Sequence, residues 1–198
     1  GIALGRLEAA LIMEAMAYGC PATSAYVSIH NMAAWMIDSF GSQAVKDKYL
    51  PSLVTMEKIA SYALTEPGSG SDAAGLKTTA QLDGDHYILN GTKYWVTNGG
   101  IADYYAIFAT IDPEKKHEGI CAFLIDRRWP GIRVGRHIPK MGQRCSNTVG
   151  VHFENVRVPK EYVLAPPGEG FVLAMKTFNR TRPVIGAFAI GAARSAME

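Results

Sequence analysis

The spacing of apolar residues changes period twice along this chain, and those two changes restrict the possible folds more than any single motif. Up to Glu57 the apolar side chains recur near helical spacing; from Lys58 they alternate with polar ones; after Pro166-Pro-Gly-Glu-Gly170 the helical spacing returns. One β segment between two helical ones predicts an α+β chain. The expected parts are a helical amino-terminal piece over residues 1–57, a central antiparallel β-barrel or sandwich over 58–165, and the start of a carboxyl-terminal helical bundle over 166–198.

Within the first part, Leu4, Leu7, Leu11 and Met16 predict a helix from Ile2 to Tyr18, stopped by Gly19. A second helix is expected from Pro21 to Phe40, closed by Gly41. Ser42 then caps a third, shorter one that reaches Tyr49 ahead of Pro51. Strands are predicted at 59–64, 76–82, 86–89, 92–97, 104–111, 120–126, 132–138 and 148–156. Asp83-Gly84 and Asn90-Gly91 read as tight hairpin turns and Pro130-Gly131 as another turn. Phe171, Met175 and Phe178 resume a helix, Asn179 to Arg182 reads as a junction, and Pro183 opens a long buried helix from Val184 to Met197.

Composition excludes several classes of function. A net charge of +2 gives no polyanion footprint, so no nucleic-acid partner is expected, and no apolar run approaches a membrane span. Cys20, Cys121 and Cys145 are odd in number and widely spaced, which fits neither a disulfide framework nor a zinc site and points to a reducing compartment. The five histidines lack ligand-like spacing. His30 and Trp35 read as core or helix-interface groups. There is no Gly-x-Ser-x-Gly elbow and no Cys–His pair for covalent catalysis.

What remains is the dense stretch from Ser61 to Gly100. A flavin needs an aromatic wall and a few directed donors for its ring, and close main-chain amides for its pyrophosphate. Trp95 supplies such a wall and Thr97 a donor, while Gly68, Ser69, Gly70 and Ser71 offer a nest of amides. Gly68, Gly70 and Ala73 also match a dinucleotide fingerprint, but the alternating pattern that follows excludes the helix which that fingerprint requires.

The run Tyr62-Ala-Leu-Thr-Glu-Pro-Gly-Ser-Gly-Ser-Asp72, then Asn90-Gly-Thr-Lys-Tyr-Trp-Val-Thr-Asn-Gly-Gly100, Met141-Gly-Gln-Arg144 and Thr181-Arg-Pro183 resembles the acyl-CoA dehydrogenase family in one order along nearly the whole chain. Ser28 to Met32 and Trp35 to Gly41 resemble branched short-chain, isobutyryl-type members; Met141 onward resembles medium-chain ones. The resemblance implies FAD as cofactor, held by Tyr62, Leu64, Thr65, Gly70, Ser71, Trp95, Val96 and Thr97. It implies an acyl-CoA substrate contacted by Ser71, Asn179 and Arg182, an electron-transfer flavoprotein as electron acceptor, and a homotetramer. It also implies a mitochondrial matrix location in a eukaryote, or a cytoplasmic one in a bacterium.

The family's catalytic glutamate finds no counterpart here, and the alternative position for it holds Thr181. The chain, which opens at Gly1, reads as roughly the middle half of a complete member and is expected to be inactive alone. Two other readings stay open: a flavin relative acting on another substrate, such as a nitroalkane, and a β module used only for association.

Overall fold

A computed structural model describes residues 5–198; the predicted helical positions Ile2 and Leu4 lie outside them. Three helices come first: α1 (Arg6–Gly19), α2 (Pro21–Phe40) and α3 (Gln43–Val54). Pro21 occupies the first turn of α2, where its missing N–H removes no bond. Ser42 Oγ accepts from the Val45 amide, the expected amino-terminal cap of α3. The third helix does not stop at Tyr49. It runs through Pro51 to Val54 because Tyr49 and Leu53 lie on one buried face, and that burial offsets the lost amide of the proline.

Eight strands follow: β1 (Ala60–Ala63), β2 (Thr79–Asp83), β3 (His86–Thr97), β4 (Tyr104–Thr110), β5 (Ile120–Asp126), β6 (Ile132–His137), β7 (Thr148–Pro159) and β8 (Val163–Ala165). They form one sheet in the order β6-β7-β3-β2-β4-β5-β8, with β1 also paired to β4. The sheet is open rather than closed into a barrel, and mixed rather than wholly antiparallel, since β1 and β2 both run parallel to β4. Alternation along a strand reports which face is buried, not which neighbour it finds, so strand direction was not in the pattern.

β4 and β5 are buried at every position. Their Phe108 and Phe123 are fully buried, each contributing on the order of 1.5–3 kcal/mol. Helices and sheet share this core: Met36, Ile37, Tyr49 and Leu53 pack into the same cluster as Tyr105 and Ile107. His30 ties the two layers. Its Nε2 lies 3.0 Å from the Leu53 carbonyl, and its Nδ1 accepts from the Ala60 amide at 3.1 Å. This pairing fixes a neutral imidazole with the proton on Nε2, and burial lowers the ring's pKa accordingly. The sequence-based assignment of His30 to packed structure is met.

Two local expectations fail for a stated reason. Asn90-Gly91 is no hairpin; it lies inside β3, whose two predicted halves are continuous. Gly91 has φ of 152°, and a Cβ there would come within 2.5 Å of Thr78 Oγ1, so the glycine permits close approach of a neighbouring chain. The real two-residue turn is Gly84-Asp85, with Gly84 at φ of 61°. Likewise α4 is one helix, Gly170–Met197, with Pro183 inside it and no junction at Asn179 to Arg182. From Val184 onward only Gly191 is buried, so the stretch is not the buried helix its alanines suggested. Gly191 is where α1 crosses: a Cβ would lie 2.1 Å from the Glu14 carbonyl.

Candidate cofactor cleft

Between Lys93 and Val96 the register of β3 against β7 slips: Lys93 faces Val151 and Val96 faces Val149, leaving Tyr94 and Trp95 opposite Gly150 alone. This is a β-bulge, a device that re-aims side chains and often lies beside active sites. Trp95 takes φ of 55°, a left-handed conformation costly for a bulky residue, and its side chain is 53% exposed. The Tyr94 amide, released from the ladder, donates to the Thr65 carbonyl at 2.8 Å. The bulge therefore does two things at once: it presents an indole and it docks the Thr65–Ser71 loop beside it.

The rest of that loop is fixed by a charge pair. Lys93, with no exposed surface, donates to Glu66 Oε1 at 2.6 Å and to the Leu64 carbonyl at 3.0 Å. Glu66 also accepts from the Lys77 and Thr78 amides at 2.6 and 3.0 Å. Burial works against the charge on Glu66, but Lys93 and these donors outweigh it and hold the carboxyl below its usual range. Burial pulls Lys93 down to about 8, with the Glu66 carboxylate opposing the shift. The pattern reading passed over this pair. A lysine between aromatic and β-branched residues of a strand, with a glutamate in the facing loop, was the signal available.

Beyond Glu66, a turn closed by paired Glu66–Ser69 main-chain bonds leaves Gly68, Gly70 and Ser71 exposed. No residue from 68 to 71 has positive φ, so the amides of the expected nest are presented by an open turn rather than by alternating right- and left-handed residues. A Cβ at Gly68 or Gly70 would meet no protein atom within 4 Å. Nothing in the fold demands glycine there; a group lying against the loop would.

The other predicted residues sort by burial. Leu64 and Val96 point into the core and offer only main-chain groups, and the Leu64 carbonyl is already taken by Lys93. Thr97 is half-buried at the end of β3, with its carbonyl held by Ser61 Oγ. The Tyr62 ring lies 5.2 Å from Phe108 and 5.8 Å from Phe178, and its hydroxyl is buried with no partner among the described residues. Burial raises the Tyr62 pKa, so the hydroxyl keeps its proton as an unspent donor.

Phe178 leads from Tyr62 to a cavity of about 390 Å³ between α1, α2 and α4. Its walls are apolar at Met13, Ile29, Met32, Trp35, Phe178 and Ile185, and Thr181 and Arg182 line it too. Arg180 stacks over Trp35 at 5.2 Å, and Arg182 over Phe178 at 5.7 Å while donating to Asn179. Thr181 Oγ1 donates back to the Thr177 carbonyl of its own helix. No carboxylate is among the described residues lining the cavity, and no group of three or more metal-ligating side chains occurs among the described residues.

An exposed indole held in a strained bulge, an unspent buried hydroxyl and a glycine loop open to solvent fit a wide flat cofactor with an anionic tail. The fold is thus a helix–sheet–helix architecture whose candidate cleft fits such a cofactor. The chain belongs to the acyl-CoA dehydrogenase family. That family's N-terminal domain matches residues 1–57 and its middle domain residues 61–156.

Among curated relatives, the isobutyryl-CoA dehydrogenase of Dictyostelium discoideum, a mitochondrial protein, is 45% identical over the whole chain. The chain spans 47% of that relative's length. Among solved structures, the glutaryl-coenzyme A dehydrogenase–glutaryl-CoA complex superimposes with a TM-score of 0.94 at 34% identity, covering 98% of this chain and 50% of the other. PigA with FAD and proline gives 0.94 at 34% identity, covering 98% and 52%.

Proposed function

We propose that this chain carries the flavin cleft and part of the acyl cavity of an FAD-dependent acyl-CoA dehydrogenase, which introduces an α,β double bond into an acyl-CoA thioester. One observation supports this above the rest: Trp95, exposed and strained, follows directly on Tyr94, which binds the Thr65–Ser71 loop whose Gly68, Gly70 and Ser71 are open to solvent.

FAD, when bound, supplies acceptance of a hydride from the acyl β-carbon. Trp95 covers the ring's apolar face, and the Thr97 hydroxyl and the free main-chain amides of Gly70 and Ser71 direct its polar edge and phosphates. Tyr62, Leu64, Thr65 and Val96 complete the lining, Val96 and Leu64 through their main chain. The acyl chain occupies the 390 Å³ cavity, whose apolar walls exclude water. The Arg182–Asn179 pair and Ser71 meet the anionic coenzyme A portion.

Thr181 is no base, because its hydroxyl is spent on its own helix and its proton is not lost near neutral pH. The acceptor for the α-proton is therefore none of the described groups in the cavity, and the 198 residues by themselves do not turn over. The similarity to isobutyryl-CoA dehydrogenase and the bulky Trp35 in the cavity wall favour a short or branched acyl group.

Electrons pass to an electron-transfer flavoprotein, and the complete protein assembles as a homotetramer. Residues 1–57, 58–165 and 166–198 serve as helical, flavin-binding and second helical parts. Among the described residues no helix is long and apolar enough to cross a membrane; the mitochondrial matrix, or the cytoplasm in a bacterium, is the proposed location. A Trp95→Ala variant of the full-length protein should bind FAD at least tenfold more weakly in a fluorescence titration. Unchanged flavin content and spectrum on purification would remove the basis of the proposal.

A further inference from the structure

We propose that the buried Glu66–Lys93 pair is a positioning device for the cofactor cleft, fixing the gap between the Thr65–Ser71 loop and the Trp95–Thr97 edge. The inference rests on the flavin reading above and adds two residues to it that touch no cofactor themselves.

The geometry is specific. Lys93 is the last residue of β3 in register with β7 before the bulge; the next two residues, Tyr94 and Trp95, are the bulge itself. Its ammonium reaches two atoms of the facing loop, the Leu64 carbonyl and Glu66 Oε1. Glu66 also accepts from the Lys77 and Thr78 amides, beyond the short 3-10 turn Ala73–Gly75 and just before β2 begins. One carboxylate therefore ties the start of the glycine-serine loop and the chain entering β2 to the strand that presents the indole, while Gly68, Gly70 and Ser71 stay exposed. Full burial of both charges is costly and offers the fold little that two apolar side chains would not. What apolar side chains lack is direction. Four hydrogen bonds, one within the pair and three to main-chain groups, fix a distance, whereas packing tolerates sliding.

Gly68 and Gly70 face open space, while Ser69 between them is buried and bonded to Glu66 and to the Asp72 carbonyl. The turn is thus held together internally, and its placement against β3 comes through Glu66 and the Tyr94–Thr65 bond.

The test uses purified full-length protein, stripped of and titrated with FAD. A Glu66→Gln/Lys93→Met double variant removes both charges together, leaving none unpaired. Expected is a thermal midpoint near that of the wild type, an FAD dissociation constant raised at least tenfold, and an altered visible circular dichroism of the bound flavin. A double variant with dissociation constant and dichroism like the wild type would overturn the proposal, whatever its stability.

Should the double variant fail to fold, Glu66→Asp keeps the charge but shortens the reach by one methylene. Expected then is a folded protein with at least fivefold weaker FAD binding, and Lys93→Arg with Glu66→Asp, which lengthens the opposite partner, should recover part of the loss. An Asp variant binding within twofold of wild type overturns the proposal equally. Wild-type protein that takes up no FAD would instead sink the flavin reading and this inference with it, an outcome distinct from the others.

Discussion

Trp95 serves two opposed demands. A bulky residue at φ of 55° stores on the order of 1–3 kcal/mol, and glycine relieves that strain while deleting the ring. Trp95→Gly is therefore expected to raise the stability of the cofactor-free protein by up to about 1 kcal/mol and to lower FAD affinity, a pair of opposite shifts readable by thermal melts and titration. His30 makes a second prediction. Its folded pKa is depressed by burial from an ordinary 6.5, so between the folded value and 6.5 the unfolded chain binds more protons. Stability should fall as pH drops below about 6.5, and His30→Gln should flatten that part of the melting-temperature profile at some cost in stability at pH 7. The chemical identity of Trp95 was legible in the sequence; its conformation was not. That conformation follows from a register slip against Gly150, a partner remote in the chain.

Among the elements, α1, α2, β4 and β5 were legible because strong periodicity or an unbroken apolar run survives any tertiary setting. Asn90-Gly91 and Pro183 misled, each carrying a local preference that packing overrode. In β3 the glycine admits Thr78; in α4 the helix continues past the proline because both sides of it are anchored, Leu173 and Ala174 in the core and Gly191 against α1. That crossing predicts a sharp effect. Gly191→Val drives a side chain into the main chain at Glu14, where nothing flexible yields, and should cost about 2–3 kcal/mol, measured by denaturant unfolding. Gly186→Ala on the same helix, with open space around it, should be neutral or slightly stabilising.

At the scale of the whole molecule the candidate site draws on three separate regions: the loop after β1, the bulge of β3, and the cavity between α1, α2 and α4. Because no carboxylate is among the described residues lining that cavity, the 198-residue chain is expected to form no enoyl-CoA from any acyl-CoA in a coupled assay, even where it takes up FAD. Enoyl product from that chain would overturn this expectation. By itself the sequence determined the order of helical and strand segments and the family. These depend on local period and on side-chain chemistry, which every stretch of chain carries with it. The tertiary structure alone decided the mixed, open sheet, the bulge that turns Trp95 outward, the buried Glu66–Lys93 clamp and the continuity of α4. Each of those depends on which distant residue arrives opposite, and a pairing between remote segments leaves no periodic trace in either one.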